Sequence, residues 1–268
     1  MTAAIRHFLL ALQFFTRIPV TGRLAEWVGY SPAMLRASAA FFPAVGWVVG
    51  AVGALVLAGA LMLWPPLAAA ILCTVVTVML TGAFHEDGLA DVVDGLGGSS
   101  NRERALEIMK DSRIGAFGAI ALVLSLGLKF ALLATLVDTE TFSGAGDGAW
   151  LACAAVVAAH VLSRFAPLVV MRCLPYVGGE GGKAKPMADA VSGASLAVAS
   201  VWSLPALALL VAVFGPEQAL LALGAAALAT LTMTRLLRRR LGGFTGDGLG
   251  ATQQLSELAV YLALAAIW

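Results

Sequence analysis

The sequence predicts an all-α protein: a polytopic integral membrane bundle of six or seven transmembrane helices, one membrane-embedded domain over residues 1–268, its polar segments facing the cytoplasm. Three observations carry this. Hydrophobic residues make up 60% of the chain and charged residues 12%, where a soluble domain carries about 25% charged. Apolar runs of the ~20-residue length that crosses a bilayer fall at 43–64, 66–84, 116–137, 149–171, 191–214 and 217–237, with a shorter apolar end at 254–268. Lys and Arg occupy only alternate connections between these runs, which is the pattern of cytoplasmic loops.

Residues 5–20 begin with Arg6 and His7 and are interrupted by Gln13, Arg17 and Pro19 without a small-residue cleavage site. They predict an interfacial or half-inserted helix rather than a cleaved leader. The span at 43–64 carries Gly50, Gly53 and Gly59, small residues suited to close helix packing or to association of two copies, so a homo-oligomer is a possible assembly. The span at 66–84 runs straight into an acidic stretch. Ser100-Asn101-Arg102-Glu103 reads as a capping box opening a cytoplasmic helix over about 101–110. Lys129 lies inside the third span, and His160 and Arg164 lie one helical turn apart in the fourth, an arrangement that usually faces a polar cavity. Arg235, Arg238, Arg239 and Arg240 close the sixth span, while Lys183 and Lys185 follow the fourth. Cys73, Cys153 and Cys173 show no paired spacing and read as small apolar residues.

The amino terminus and every basic loop therefore share one side, expected to be the cytoplasmic face of a bacterial inner membrane. This topology brings the acidic stretch, residues 97–118 and residues 241–257 to one face, where a single site becomes possible.

Glu86, Asp87, Asp91 and Asp94 place four carboxylates within nine residues. On a helix the three aspartates share a face, with Glu86 beside them. Crowded carboxylates at a partly desolvated site take up protons or bind a cation, and hard oxygen donors suit Mg²⁺, Ca²⁺ or Mn²⁺. The alternative is a solvated acidic helix end. Lys110, Ser112 and Arg113 bracket the start of the next span, a setting matched to phosphate groups as well as to ordinary positive-inside anchoring. Residues 241–257 hold five glycines ahead of an apolar helix; Asp247, Gln254 and Glu257 can add ligands or hydrogen bonds there, and Asp247 can cap that helix. His85 is a general base, a ligand or a structural donor. No P-loop, dinucleotide fingerprint, Ser-His-Asp order or zinc spacing occurs, and no nucleic-acid partner is expected.

Three segments carry a resemblance: His85-Glu86-Asp87-Gly88-Leu89-Ala90-Asp91-Val92-Val93-Asp94-Gly95; Met109-Lys110-Asp111-Ser112-Arg113-Ile114-Gly115-Ala116-Phe117-Gly118; and Gly243-Phe244-Thr245-Gly246-Asp247-Gly248-Leu249-Gly250-Ala251. Together with Phe15-Thr16-Arg17-Ile18-Pro19-Val20 they resemble the signatures of the cobalamin synthase family, the adenosylcobinamide-GDP ribazoletransferases. The resemblance implies that the ribose 3′ hydroxyl of α-ribazole, or of α-ribazole 5′-phosphate, attacks the phosphorus borne by the cobinamide of adenosylcobinamide-GDP, and GMP leaves. It implies Mg²⁺ held by Glu86, Asp87, Asp91, Asp94 and Asp247. Lys110, Ser112, Arg113, Arg164 and Gln254 would bind substrate and phosphate, and His85 or Asp94 would take the acceptor proton. Asp87-Gly88-Leu89-Ala90-Asp91 is also partly similar to the metal motif of CDP-alcohol phosphotransferases, but Asp91 stands where that motif has arginine. A phospholipid head-group transferase and a divalent-cation transporter are the competing expectations; a transporter would place its acids nearer the midplane.

Overall fold

The computed structural model describes residues 2–138, 148–179, 185 and 191–266. Lys183, the connection at 139–147 and the last two residues of the apolar end lie outside the described residues. Regular structure among the described residues is helical, apart from an isolated bridge between Tyr176 and Phe244.

Helix α1 (Thr2–Phe15) exposes its first turns and buries Leu10, Ala11, Leu12 and Phe15. Only its far end enters the bundle. Two short helices follow, α2 (Gly22–Val28) and α3 (Pro32–Ser38), and the Arg6 guanidinium ties α1 to the Val28 carbonyl at 2.8 Å. A 3₁₀ turn leads into α4 (Phe42–Leu61), where Pro43 sits in the first turn, a position with no intrahelical amide bond to lose.

The span predicted at 66–84 ends three residues early, at a sharp bend. Helix α5 (Pro66–Thr81) and helix α6 (Phe84–Gly98) meet at 89°. The cause is a pair of left-handed residues, Gly82 (φ 66°) and Ala83 (φ 57°). Alanine in this region costs roughly 1–2 kcal/mol, and the surroundings hold it: the Ala83 amide donates to Val78 O at 2.9 Å and its carbonyl accepts from Asp87 N at 2.9 Å. The bend turns the acidic helix α6 out of the direction of α5.

Helix α7 (Arg102–Ile108) starts one residue later than the capping box predicted, because Asn101 and not Ser100 is the cap: its side-chain oxygen accepts from Arg104 N at 2.9 Å. Helix α8 (Ala116–Val137) matches its predicted span. The fourth span divides into α9 (Gly148–Ser163) and α10 (Ala166–Cys173), with Pro167 opening the second piece. Then come α11 (Gly193–Phe214), α12 (Pro216–Leu241) and α13 (Gly246–Leu264).

Among the described residues five helical segments are long and apolar enough to cross a membrane, or six if the bent α5–α6 pair counts as one. The most apolar stretch of the α9–α10 segment is 83% buried and those of α8 and α11 17%, so α9 lies at the centre and α8 and α11 face outward. The final helix corrects the expectation of a short apolar end. It is a full-length helix starting at Gly246, and it buries a polar face comprising Thr252, Gln253, Gln254, Ser256 and Glu257.

Close packing joins α4 to α9. A Cβ at Gly50 would lie 2.8 Å from Val157 Cα, and one at Gly46 would run into the His160 carbonyl. Without a hydrophobic drive between helices in lipid, such backbone approach supplies much of the cohesion. Gly59 does not share this role, since a Cβ there meets open space.

Candidate active site

A cavity of about 570 Å³ opens where the ends of α1, α6, α7, α10 and α13 meet. One wall is aromatic: Phe14, Phe15, Phe42 and Phe84. The His85 ring stacks on Phe15, centroids 5.7 Å apart and planes within 8°. The lining also carries the polar residues Asp87, Lys110, Arg164, Asp247 and Gln253. A site with an apolar body and a few convergent polar groups is the usual form of a small-molecule pocket.

The acidic helix reaches this cavity through the close approach of α6 to α13. A Cβ at Gly88 would lie 2.8 Å from the Asp247 carbonyl, so only glycine lets the two segments touch. Asp87 and Asp247 line the cavity, and half-buried Asp91 is on the same side, pushed up to about 7 by desolvation and by the Asp247, Asp87 and Asp94 charges. Thr245, not Asp247, caps α13, its hydroxyl accepting from Gly248 N at 3.0 Å. Asp247 stands in the first turn of that helix.

Asp94 departs from the expected set. Its two oxygens accept from Gly115 N at 2.7 Å and Gly118 N at 2.8 Å, so it caps α8. The two bonds satisfy amides of the helix start that α8 cannot pair itself. Asp94 thus serves as the cap of α8, and it does not line the cavity. Glu86 is buried; Oε1 accepts from Gln254 at 3.0 Å and Oε2 has no hydrogen-bond partner.

Among the described residues no three His, Cys, Asp or Glu side chains are gathered as a ready-made metal cage. Mg²⁺ does not require one. It keeps several waters and is commonly held by one or two carboxylates plus substrate phosphates. Asp87, Asp91 and Asp247, crowded enough to raise Asp91's affinity for a proton, fit that mode, and the orphaned Glu86 oxygen lies on the same helix.

Of the phosphate-binding set, Lys110 and Arg164 line the cavity while Ser112 and Arg113 do not. Arg113 is solvent-exposed and forks onto Asp111 at 2.6 Å, holding that carboxyl down to about 2. Gln254 supports Glu86 from behind rather than lining the cavity. Two further contacts draw the segments together: Arg240 donates to Leu96 O and Ser99 O at 3.0 and 2.7 Å, and Arg102 to Leu241 O at 2.6 Å. The bridge at Tyr176 then fixes the glycine-rich loop, with Phe244 N donating to Pro175 O at 2.8 Å.

Behind the polar lining lies a buried network. Glu257 pairs with Lys129 at 2.6 Å and accepts from Gln253 at 2.8 Å and Tyr261 at 3.4 Å. Arg164 donates to the His160 carbonyl at 2.8 Å and meets the His160 ring at 3.1 Å, and its Nε has no partner. Gln253 touches both the cavity and Glu257, so the network sets the orientation of the polar lining. Glu257 is thus an ion-pair partner rather than an additional ligand. The Lys129–Glu257 pairing and the aromatic wall were not foreseen. Intramembrane Lys129 signalled a partner, but nothing local named it.

The cobalamin-5-phosphate synthase family profile matches residues 7–265. A protein of Polaromonas naphthalenivorans named adenosylcobinamide-GDP ribazoletransferase is 56% identical, over 99% of both chains. Proteins of the same name from Leptothrix cholodnii and Shewanella amazonensis are 51% and 42% identical, over 98% and 97% of this chain and 96% and 95% of theirs. No solved structure matches.

Proposed function

Since the chain belongs to the cobalamin-5-phosphate synthase family, an enzyme family, we propose that it joins adenosylcobinamide-GDP to α-ribazole or α-ribazole 5′-phosphate in a Mg²⁺-dependent phosphotransfer that releases GMP. The observation that carries this reading is the single cavity that Asp87, Asp247, Lys110 and Arg164 line together with four phenylalanines. The relatives' names support the substrates.

The ribose 3′ oxygen of the acceptor forms a bond to the phosphorus attached to the cobinamide side chain. The anhydride bond to the guanylate phosphate breaks, and GMP carries away the bonding pair. Lys110 and Arg164 hold phosphate oxygens by charge and, for Arg164, by a buried Nε with no protein partner. His85 accepts the hydroxyl proton, its ring held by Phe15 at the cavity wall. Asp87, Asp91 and Asp247 would hold Mg²⁺, with Glu86 beside them. Bound there, the ion would neutralise the diphosphate and stabilise the leaving phosphate. The amino terminus and the cavity face the cytoplasm of the inner membrane, by the distribution of basic loops.

The test is to incubate detergent-solubilised protein with adenosylcobinamide-GDP, α-ribazole and Mg²⁺, with and without EDTA, and to follow GMP and the corrinoid product by chromatography. Metal-dependent formation of both is expected, with His85→Gln lowering kcat by roughly 10²–10⁴-fold and Asp91→Asn abolishing the metal response in folded protein. Asp94→Asn is expected to act through stability. Consumption of a CDP-activated lipid instead, with no corrinoid product, would overturn the assignment.

A further inference from the structure

A second cavity lies apart from the site described above. It is a cleft of about 400 Å³ between α10, α11 and α12, walled by Phe165, Val169, Leu204, Leu207, Leu223 and Leu231. The helices beside it face outward: the most apolar stretches of α11 and α12 are 17% and 33% buried, and Leu204 is 60% exposed. Lined by two span-length apolar helices, the cleft has a surface suited to a lipid chain rather than to water.

Its length fits one leaflet. Along α12 the lining runs from Leu223 to Thr234, which at 1.5 Å per residue is roughly 16 Å, about half of a ~30 Å hydrocarbon core. The end of the cleft is basic. Arg235 and Arg238 lie one helical turn beyond the lining residues Leu231 and Thr234, on the same face of α12. Arg238 reaches across to the carbonyl of Cys173, itself a lining residue, at 3.3 Å. Arg172 adjoins Cys173, and all three guanidinium-bearing residues are exposed. Forked donors at the headgroup level of an acyl-sized cleft match a phosphodiester.

We propose that this cleft is a binding site for an anionic phospholipid, its acyl chain seated between α10, α11 and α12 and its phosphate held by Arg172, Arg235 and Arg238. A zwitterionic lipid would satisfy the cleft but not the excess positive charge. A second copy of the chain fits less well. A two-fold axis along the membrane normal would bring the same arginines of both copies to one depth, facing like charge.

The experiment is native mass spectrometry of the full chain in mild detergent, titrated with phosphatidylglycerol or phosphatidylcholine of matched chains, alongside thermal unfolding in lipid-free detergent. Wild type is expected to retain phosphatidylglycerol with at least about ten-fold preference. A combined Arg172→Gln, Arg235→Gln, Arg238→Gln variant should bring that preference close to unity at unchanged unfolding temperature. Ala227→Phe fills the cleft without touching charge, and should reduce retention of both lipids. Equal retention of the two lipids by wild type, or a preference that survives both variants, overturns the proposal. So does a dimer whose formation Ala227→Phe blocks while lipid retention is unchanged. None of these readouts depends on the phosphotransfer reaction.

Discussion

Lys129 and Glu257 are each nearly inaccessible and stand 2.6 Å apart. A buried pair of this kind stabilises little relative to apolar residues, yet removing one partner strands the other charge at a cost of about 3–5 kcal/mol. Lys129→Met alone is therefore expected to lower stability by that amount, and Lys129→Met with Glu257→Gln to recover a substantial part of it. Thermal unfolding of the two variants in detergent checks this; equal losses would mean that the pair is not coupled. Chemistry-bearing residues were legible singly, because acids and bases in so apolar a chain stand out against their neighbours. Their partners were not. Asp94 belongs to the same acidic face as Asp87 and Asp91 in the sequence, but it lies nearly a turn further along the helix, where the start of α8 approaches and its oxygens accept from Gly115 and Gly118.

Helices α6 and α13 bring the two halves of the proposed metal set together, and Gly88 is the point at which they touch. Gly88→Ala must push Asp247 away from Asp87 and Asp91, so it is expected to weaken Mg²⁺ activation and to destabilise the fold by about 1–3 kcal/mol. Gly59→Ala, with open space around its Cβ, is expected to be neutral or stabilising by about 0.5–1 kcal/mol. Thermal unfolding and the Mg²⁺ dependence of GMP release compare the pair, and equal behaviour would remove the close approach from the argument. Spans were legible to within a few residues where hydropathy alone decides, as in α8. The break at Gly82–Ala83 was not, because Gly-Ala inside an apolar run carries no helix-stop signal beyond one glycine. The left-handed turn is imposed by what packs on it: Arg17 N donates to Leu80 O at 2.7 Å, and the Arg17 guanidinium fills the space beside Gly82.

Across the whole molecule, the basic residues determine the expected orientation. A cysteine replacing exposed Ser112, in a background lacking the three native cysteines, is expected to react with a membrane-impermeant maleimide only in inverted vesicles, and a cysteine replacing exposed Trp64 only in intact spheroplasts. Reversed labelling would put the cavity on the other face. The sequence by itself determined the class of the protein, the approximate spans, and the three polar segments to which the chemistry is assigned in the proposal. Composition, charge placement and motif are local properties that survive without coordinates. Only the tertiary structure decided which acids share the cavity, which one caps a helix, where the chain turns by 89°, and that a polar final helix lies at the centre of the bundle. Those outcomes depend on which backbone amides and buried charges must find partners away from water, and the partners come from helices distant in the chain.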